Sequence, residues 1–434
     1  MRRRQFLHLW GVLTGTADAR TITRRWATQN PIIEAGVPSG NQNALRERLA
    51  GLVRTQREVQ DWLAGRAFPF GKYDSELGFL HRDRRFKEGI EGSICTYTYD
   101  KSGARRTIAH ASKPCRINTY GNSFTSCEQV SDGETWQEVV AAFIGEPVRN
   151  YGIGGYSVYQ AYLRMKREES VHPAQYIIFN IFDDDHYRNQ ISWQVIRYGK
   201  NWQHFQPPLP YIVANPATGQ FVEMKNPCPT PESLYNLCNL DWVYQTFKDD
   251  FVLKLRLAQE ADKHPDPTIA QLIQALAAEQ GTPTLVNSNA DDLVKAADSL
   301  YTRSGIFASM RVVDQIERFA TAHKKKVLYV LSYGSGNVAK RLRGEKRFDQ
   351  SFVEFLGSHK LPYVDLLEAH AADYAQFQCG LEDYFRRYYV PAHYNPRGNV
   401  FCAYAMLNKL VSMLGPKPAP YSGSYDCSAG RCST

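Results

Sequence analysis

The sequence predicts an α/β protein of three layers, with helices on both faces of a parallel sheet. Two observations carry that expectation. Apolar runs at 175–182, 326–332 and 361–366 are continuous, as in Val327-Leu328-Tyr329-Val330-Leu331. Continuous runs suit strands buried on both faces, whereas alternation suits strands with one wet face. Segments of helical periodicity stand between the runs, and such alternation argues for parallel strands joined by crossover helices. A length of 434 residues allows one large domain or two to three ordinary ones.

Taken in order, residues 1–40 read as a leader and linker. Met1-Arg2-Arg3-Arg4-Gln5-Phe6-Leu7 has the paired arginines of a twin-arginine export signal, and Ala17-Asp18-Ala19 has the form of a cleavage site. The reading leans to an exported protein, with a cytoplasmic one as the alternative. Residues 41–112 read as a helix and a β appendage. Leu45, Leu49, Leu52, Val53, Val59 and Leu63 recur at helical spacing over 43–65, and Cys95-Thr96-Tyr97-Thr98-Tyr99 alternates before a turn at 100–103. The first half of the core covers 113–192, with strands at 116–120, 147–151 and 175–182 and a helix at 134–144. Residues 193–304 form an insertion of a β-hairpin around 215–219 followed by helices, one of them near 269–278. The second half covers 305–415, with a helix at 306–322, strands at 326–332 and 361–366, and a last helix at 400–414. A tail of 416–434 follows.

The formal charge of +8 is small for this length, and basic residues are interleaved with acidic ones, as in Arg82-Asp83-Arg84-Arg85. This reads as a solvated surface, and no nucleic-acid partner is expected. No run approaches the ~18 apolar residues of a membrane span, so no integral membrane segment is expected. Nine cysteines show no zinc-ligand spacing, and neither a metal nor a cofactor is expected. Cys115, Cys127 and Cys402 fall in core segments and read as buried thiols, while Cys427 and Cys432 could pair in an oxidising compartment.

Chemistry gathers in four places. Gly121-Asn122-Ser123-Phe124-Thr125 lies where the first core strand should end and a helix begin. A serine there can lift its Oγ above the sheet edge beside helix N-terminal N–H groups; the alternative is a plain N-cap. Arg149-Asn150-Tyr151-Gly152-Ile153-Gly154-Gly155 follows the second strand, and Phe182-Asp183-Asp184-Asp185-His186-Tyr187-Arg188-Asn189 ends the third. Pro391-Ala392-His393-Tyr394-Asn395-Pro396-Arg397-Gly398 precedes the last helix.

In type, order and spacing these four blocks resemble those of the SGNH (GDSL-type) hydrolase superfamily. The resemblance covers about 113–190 and 325–415 and implies a flavodoxin-like core with an acyl-ester hydrolase site. It implies Ser123 as nucleophile and one oxyanion donor, His393 as general base, and Gly155 as a second donor, with Gly152 and Gly154 as competitors. The third donor of the family, an asparagine amide, falls on Asp184. An ionised carboxylate only accepts hydrogen bonds. Asp184 must therefore be protonated, turned away, or replaced by Asn180 or Asn189. If it faces the site charged, Asp184→Asn raises the rate. The family's acid before the histidine is absent, since Val390 and Pro391 stand there. A backbone carbonyl, Asp373 or Asp383 is left to orient His393. The substrate implied is an acyl ester of a carbohydrate or a lipid. The rivals are an O-acyltransferase acting on a carbohydrate and a non-catalytic carbohydrate-binding relative.

Overall fold

The computed structural model describes residues 39–67, 71–201, 205–260, 267–282 and 289–422. The leader and the Cys427–Cys432 pair lie outside them. Two short antiparallel hairpins come first, β1 (Gly71–Asp74) with β2 (Gly78–His81) and β3 (Arg84–Lys87) with β4 (Ile94–Tyr97). The core strands are β5 (Ile117–Tyr120), β6 (Val148–Asn150) and β7 (Tyr176–Phe182). The insertion hairpin pairs β8 (Tyr211–Asn215) with β9 (Gln220–Met224), and β10 (Lys326–Ser332) and β11 (Tyr363–Asp365) complete the set. Five of these strands form one sheet in the order β11-β10-β7-β5-β6, all parallel. Val327, Leu328, Tyr329, Val330 and Leu331 are all buried, as a strand covered on both faces requires.

The two helical layers can be read from β5. Asn118 and Tyr120 point to one side, where both side chains reach Glu169 on the helix Val158–Val171. Thr119 points to the other, where Gln137 of the helix Trp136–Ile144 donates to its Oγ1. The first layer is completed by the helix Ala290–Ala322 and the second by the C-terminal helix Pro396–Met413.

Two boundaries differ from the sequence reading. The helix expected over 43–65 is two, Ser39–Ala50 and Gln56–Leu63. Gly51 lies in the break, and Thr55 opens the second helix with a reciprocal capping box to Glu58. The expected division at 304/305 falls inside one helix of 33 residues, Ala290–Ala322. Its apolar face passes from one core to another: Leu293, Ala297, Leu300 and Tyr301 pack with the N-terminal and insertion helices, and Ile306, Val312, Val313 and Ile316 with the sheet. The appendage and the insertion, separate units in the sequence reading, thus share a second core containing Leu45, Leu49, Trp62, Phe79, Trp193, Leu253 and Ile273.

Cys127 and Cys402 are buried and Cys115 is half-buried, and the seven described cysteines are all free thiols. Among the described residues no helix is long and apolar enough to cross a membrane.

Candidate active site

The chain leaves β5 through Gly121, where a side chain is excluded. A Cβ there would come within 2.2 Å of Thr125 Oγ1 and 2.7 Å of the Asn180 carbonyl. Asn122 caps the short helix Ser123–Ser126, its Oδ1 accepting from Phe124 N–H at 2.8 Å. Its Nδ2 donates to Asp185 Oδ1 at 2.7 Å, tying the turn to the end of β7. Ser123 is therefore the residue after the cap and not the cap. The turn is clamped through its carbonyls: Trp136 Nε1 donates to Phe124 O, Gln137 Nε2 to Thr125 O, and buried Arg105 to Ser126 O, Cys127 O and Val130 O. The loop after β6 runs alongside, with Ile153 N–H bonded to Gly121 O. Among the described residues, the N–H groups of Ser123, Gly154 and Gly155 have no acceptor. They are unspent donors at the carboxyl end of the sheet, where an open α/β sheet binds its ligands.

His393 reaches this turn from the far end of the chain. Asn395 caps the last helix by accepting from Gly398 N–H at 2.9 Å, and Pro396 occupies its first turn. The loop before it folds back, Val390 N–H bonding to His393 O at 2.9 Å, and sets the imidazole 5.3 Å from the ring of Phe124, the neighbour of Ser123. Among the described residues no hydrogen bond joins Ser123 Oγ to His393. The ring is held by Gln129. Its Oε1 lies 3.1 Å from His393 Nδ1 and also accepts from the backbone N–H of Ala392 at 3.3 Å and His393 at 3.1 Å. Two backbone donors identify that atom as the amide oxygen, so Nδ1 must be the protonated nitrogen and Nε2 carries the lone pair. Nε2 stands 3.9 Å from Glu128 Oε2. Burial, with Arg188 and Arg84 adding to it against Glu128, pushes the imidazole below its ordinary value.

The expected orienting groups lie elsewhere. Asp373 accepts from Tyr384 OH at 3.0 Å and Tyr388 OH at 2.8 Å, and Asp383 pairs with Arg386 on an exposed helix face. Neither touches His393 among the described contacts. Gln129 stands in the place assigned to an acid or a carbonyl. Sequence reading gave no signal for it, because an amide six residues after the serine belongs to no motif.

Asp184 is not a donor at the oxyanion position. Its oxygens accept from Arg197 at 2.7 Å and Tyr198 OH at 2.7 Å, and one of them forms an ion pair with Arg188 at 2.9 Å. Burial pushes its carboxyl up, but the two guanidinium groups outweigh that and hold it near 2. It is charged and turned to the insertion. Its neighbours behave differently. Asp183, raised to about 6 by burial, accepts from Gly334 N–H and Asn337, and Asp185, raised to about 7 by burial, accepts from Asn122 and Phe182 N–H. Of the replacements expected for Asp184, Asn189 spends its amide on His186 O and Ser309 Oγ. Asn180 keeps a buried Nδ2 with no partner among the described residues. Gly155 is bounded by the insertion, Gln194 Nε2 donating to its carbonyl at 2.7 Å.

The β appendage braces the Gln129 segment through Tyr97 and Glu88. Tyr97 OH accepts from Gln129 N–H at 2.6 Å and donates to Glu88 at 2.5 Å, and Gln129 Nε2 donates to Glu88 O at 3.2 Å. Arg84 and Arg105 both lie over the Tyr97 ring, at 3.9 and 4.3 Å. Arg84 also approaches Glu128 at 3.4 Å. Among the described residues no group of three or more His, Cys, Asp and Glu is arranged to hold a metal ion. No family model matches the sequence, and no curated protein matches it.

Proposed function

We propose that the protein is a serine hydrolase that cleaves acyl esters through an acyl-enzyme. One observation carries the reading: Gln129 fixes His393 in the tautomer whose Nε2 is a free base, beside a rigid serine turn with unspent N–H donors. In this reading Ser123 Oγ attacks the ester carbonyl carbon and its proton passes to His393 Nε2. The N–H groups of Ser123 and Gly155 receive the oxyanion. The bond to the leaving alcohol then breaks, the alcohol takes the proton from Nε2, and water repeats the sequence to release the acid. A sugar hydroxyl in place of water would make the same site an O-acyltransferase.

A non-catalytic binding role is the second reading, favoured by the missing Ser123–His393 hydrogen bond and by a carboxylate facing Nε2. Fluorophosphonate labelling separates the two. Ser123 is expected to be the labelled residue. Ser123→Ala is expected to lose the label and p-nitrophenyl acetate turnover by about 10³-fold or more with an unchanged unfolding midpoint. A variant that labels and turns over like the parent protein would remove the hydrolase reading.

A further inference from the structure

A triad acid performs two duties: it selects the tautomer of the histidine and it offsets the positive charge the ring acquires. We propose that this chain divides those duties between adjacent residues, Gln129 orienting His393 and Glu128 supplying the negative charge. The inference rests on the hydrolase reading for its catalytic meaning, and on geometry alone for its electrostatics.

Gln129 is neutral, so it cannot favour an imidazolium over an imidazole by charge. Glu128 is the carboxylate nearest the ring, 3.9 Å from Nε2. That spacing is too long for a hydrogen bond and short enough for a Coulombic pair in a partly dry site. Its place is built. The Glu128 N–H bonds to Ser123 O at 3.1 Å, so the residue belongs to the serine turn. Its Oε1 lies 3.4 Å from Arg84, a cation anchored over Tyr97. A Cβ on Gly154 would come within 2.0 Å of that same Oε1, so only glycine leaves room for the carboxylate. The other charged groups that act on the ring from packed elements are Arg84 on β3 and Arg188 after β7, and His81 on β2 lies 4.0 Å from Glu128. Arg84 and Arg188 disfavour a charged His393, and burial holds His81 neutral. Glu128 is the one opposing charge among these groups.

The test is nitrogen NMR of the His393 ring in the whole protein, read beside the pH–rate profile for p-nitrophenyl acetate. Glu128→Gln is expected to lower the His393 pKa, move the acid limb of the profile to lower pH and reduce its plateau by about 10-fold or more, with the Nδ1–H tautomer intact. Gln129→Leu is expected to lose that tautomer and reduce the plateau by about 10²-fold or more. Gly154→Ala, which displaces the carboxylate without removing it, should lower the His393 pKa as Glu128→Gln does and covers the case in which that variant does not fold. An unchanged or raised His393 pKa in both Glu128→Gln and Gly154→Ala would overturn the division of duties. So would a tautomer that survives Gln129→Leu. The ring measurements need no turnover. A parent protein inert to fluorophosphonate would therefore remove the hydrolase reading and leave the electrostatic inference to stand or fall on its own arm.

Discussion

At the scale of single residues, Asp184 shows how far a charge can mislead when its partners are out of view. Beside Asp183 and Asp185 it reads as one of three mutually repelling acids. In the fold Asp183 turns to Gly334 N–H and Asn337, while Asp184 and Asp185 share Arg188 and Asp184 also pairs with Arg197, both guanidinium groups being largely buried. Its carboxyl is depressed to about 2, so its contribution to stability is fully present above the unfolded value near 4 and is lost as pH falls through 2. Asp184→Asn leaves Arg197 without its carboxylate and Arg188 with Asp185 alone, and is expected to cost about 3 kcal/mol in urea unfolding at neutral pH. It is also expected to slow p-nitrophenyl acetate turnover. A faster variant of normal stability would return Asp184 to the reaction. Ser123 and His393 stand out as candidates in the sequence because each lies inside a local motif. Gln129 does not, because its contact is with the loop at 390–393, far away in the chain.

At the scale of elements, the serine turn is rigid because its carbonyls accept from three other segments: Arg105, the helix Trp136–Ile144 and the loop after β6. Arg105 supplies bonds to three of the carbonyls and an ion pair to Asp132 at 2.8 Å. A lysine has one nitrogen and cannot span that fan. Arg105→Lys is expected to destabilise the protein by about 3 kcal/mol and to speed amide hydrogen exchange over 123–130 more than in β7. Uniform protection across both segments would mean that the clamp is redundant. The central strands β7 and β10 were legible because burial on both faces leaves a continuous apolar run in the sequence; β5 and β6, which carry Asn118, Thr119, Arg149 and Asn150, leave no such run. The break after Ala50 was harder to see. Leu52 and Val53 keep helical spacing through it, and the capping box at Thr55 is a stronger local signal than the periodicity it interrupts.

At the scale of the whole molecule, opposed titrations balance one another. Burial pushes His370 down to about 3 and His186 to about 4, so acid favours the unfolded chain, which takes protons below about 6.5 that the fold refuses. Asp183 and Asp185 act with the opposite sign: the fold keeps protons that the unfolded chain has released above about 4. Between pH 4 and 6 the two pairs offset each other. His370→Gln removes one member, and its stability relative to the parent should rise by about 1.4 kcal/mol per pH unit as pH falls from 6 to 4. Parallel stability curves would show that His370 titrates normally. What the sequence concealed at this scale is the second core, because its two halves are separated by the whole first half of the sheet. That separation has a consequence during synthesis. Leu45 and Leu49 leave the ribosome early, yet Val252, Leu253 and Ile273, on the helices against which theirs packs, are made about 200 residues later. At about 5–20 residues per second that early helix waits some ~10–40 s with its apolar face open. We predict that for that interval the nascent chain is held by a chaperone that binds apolar helices, so that depleting one lowers its yield in a cell more than its finished stability would suggest.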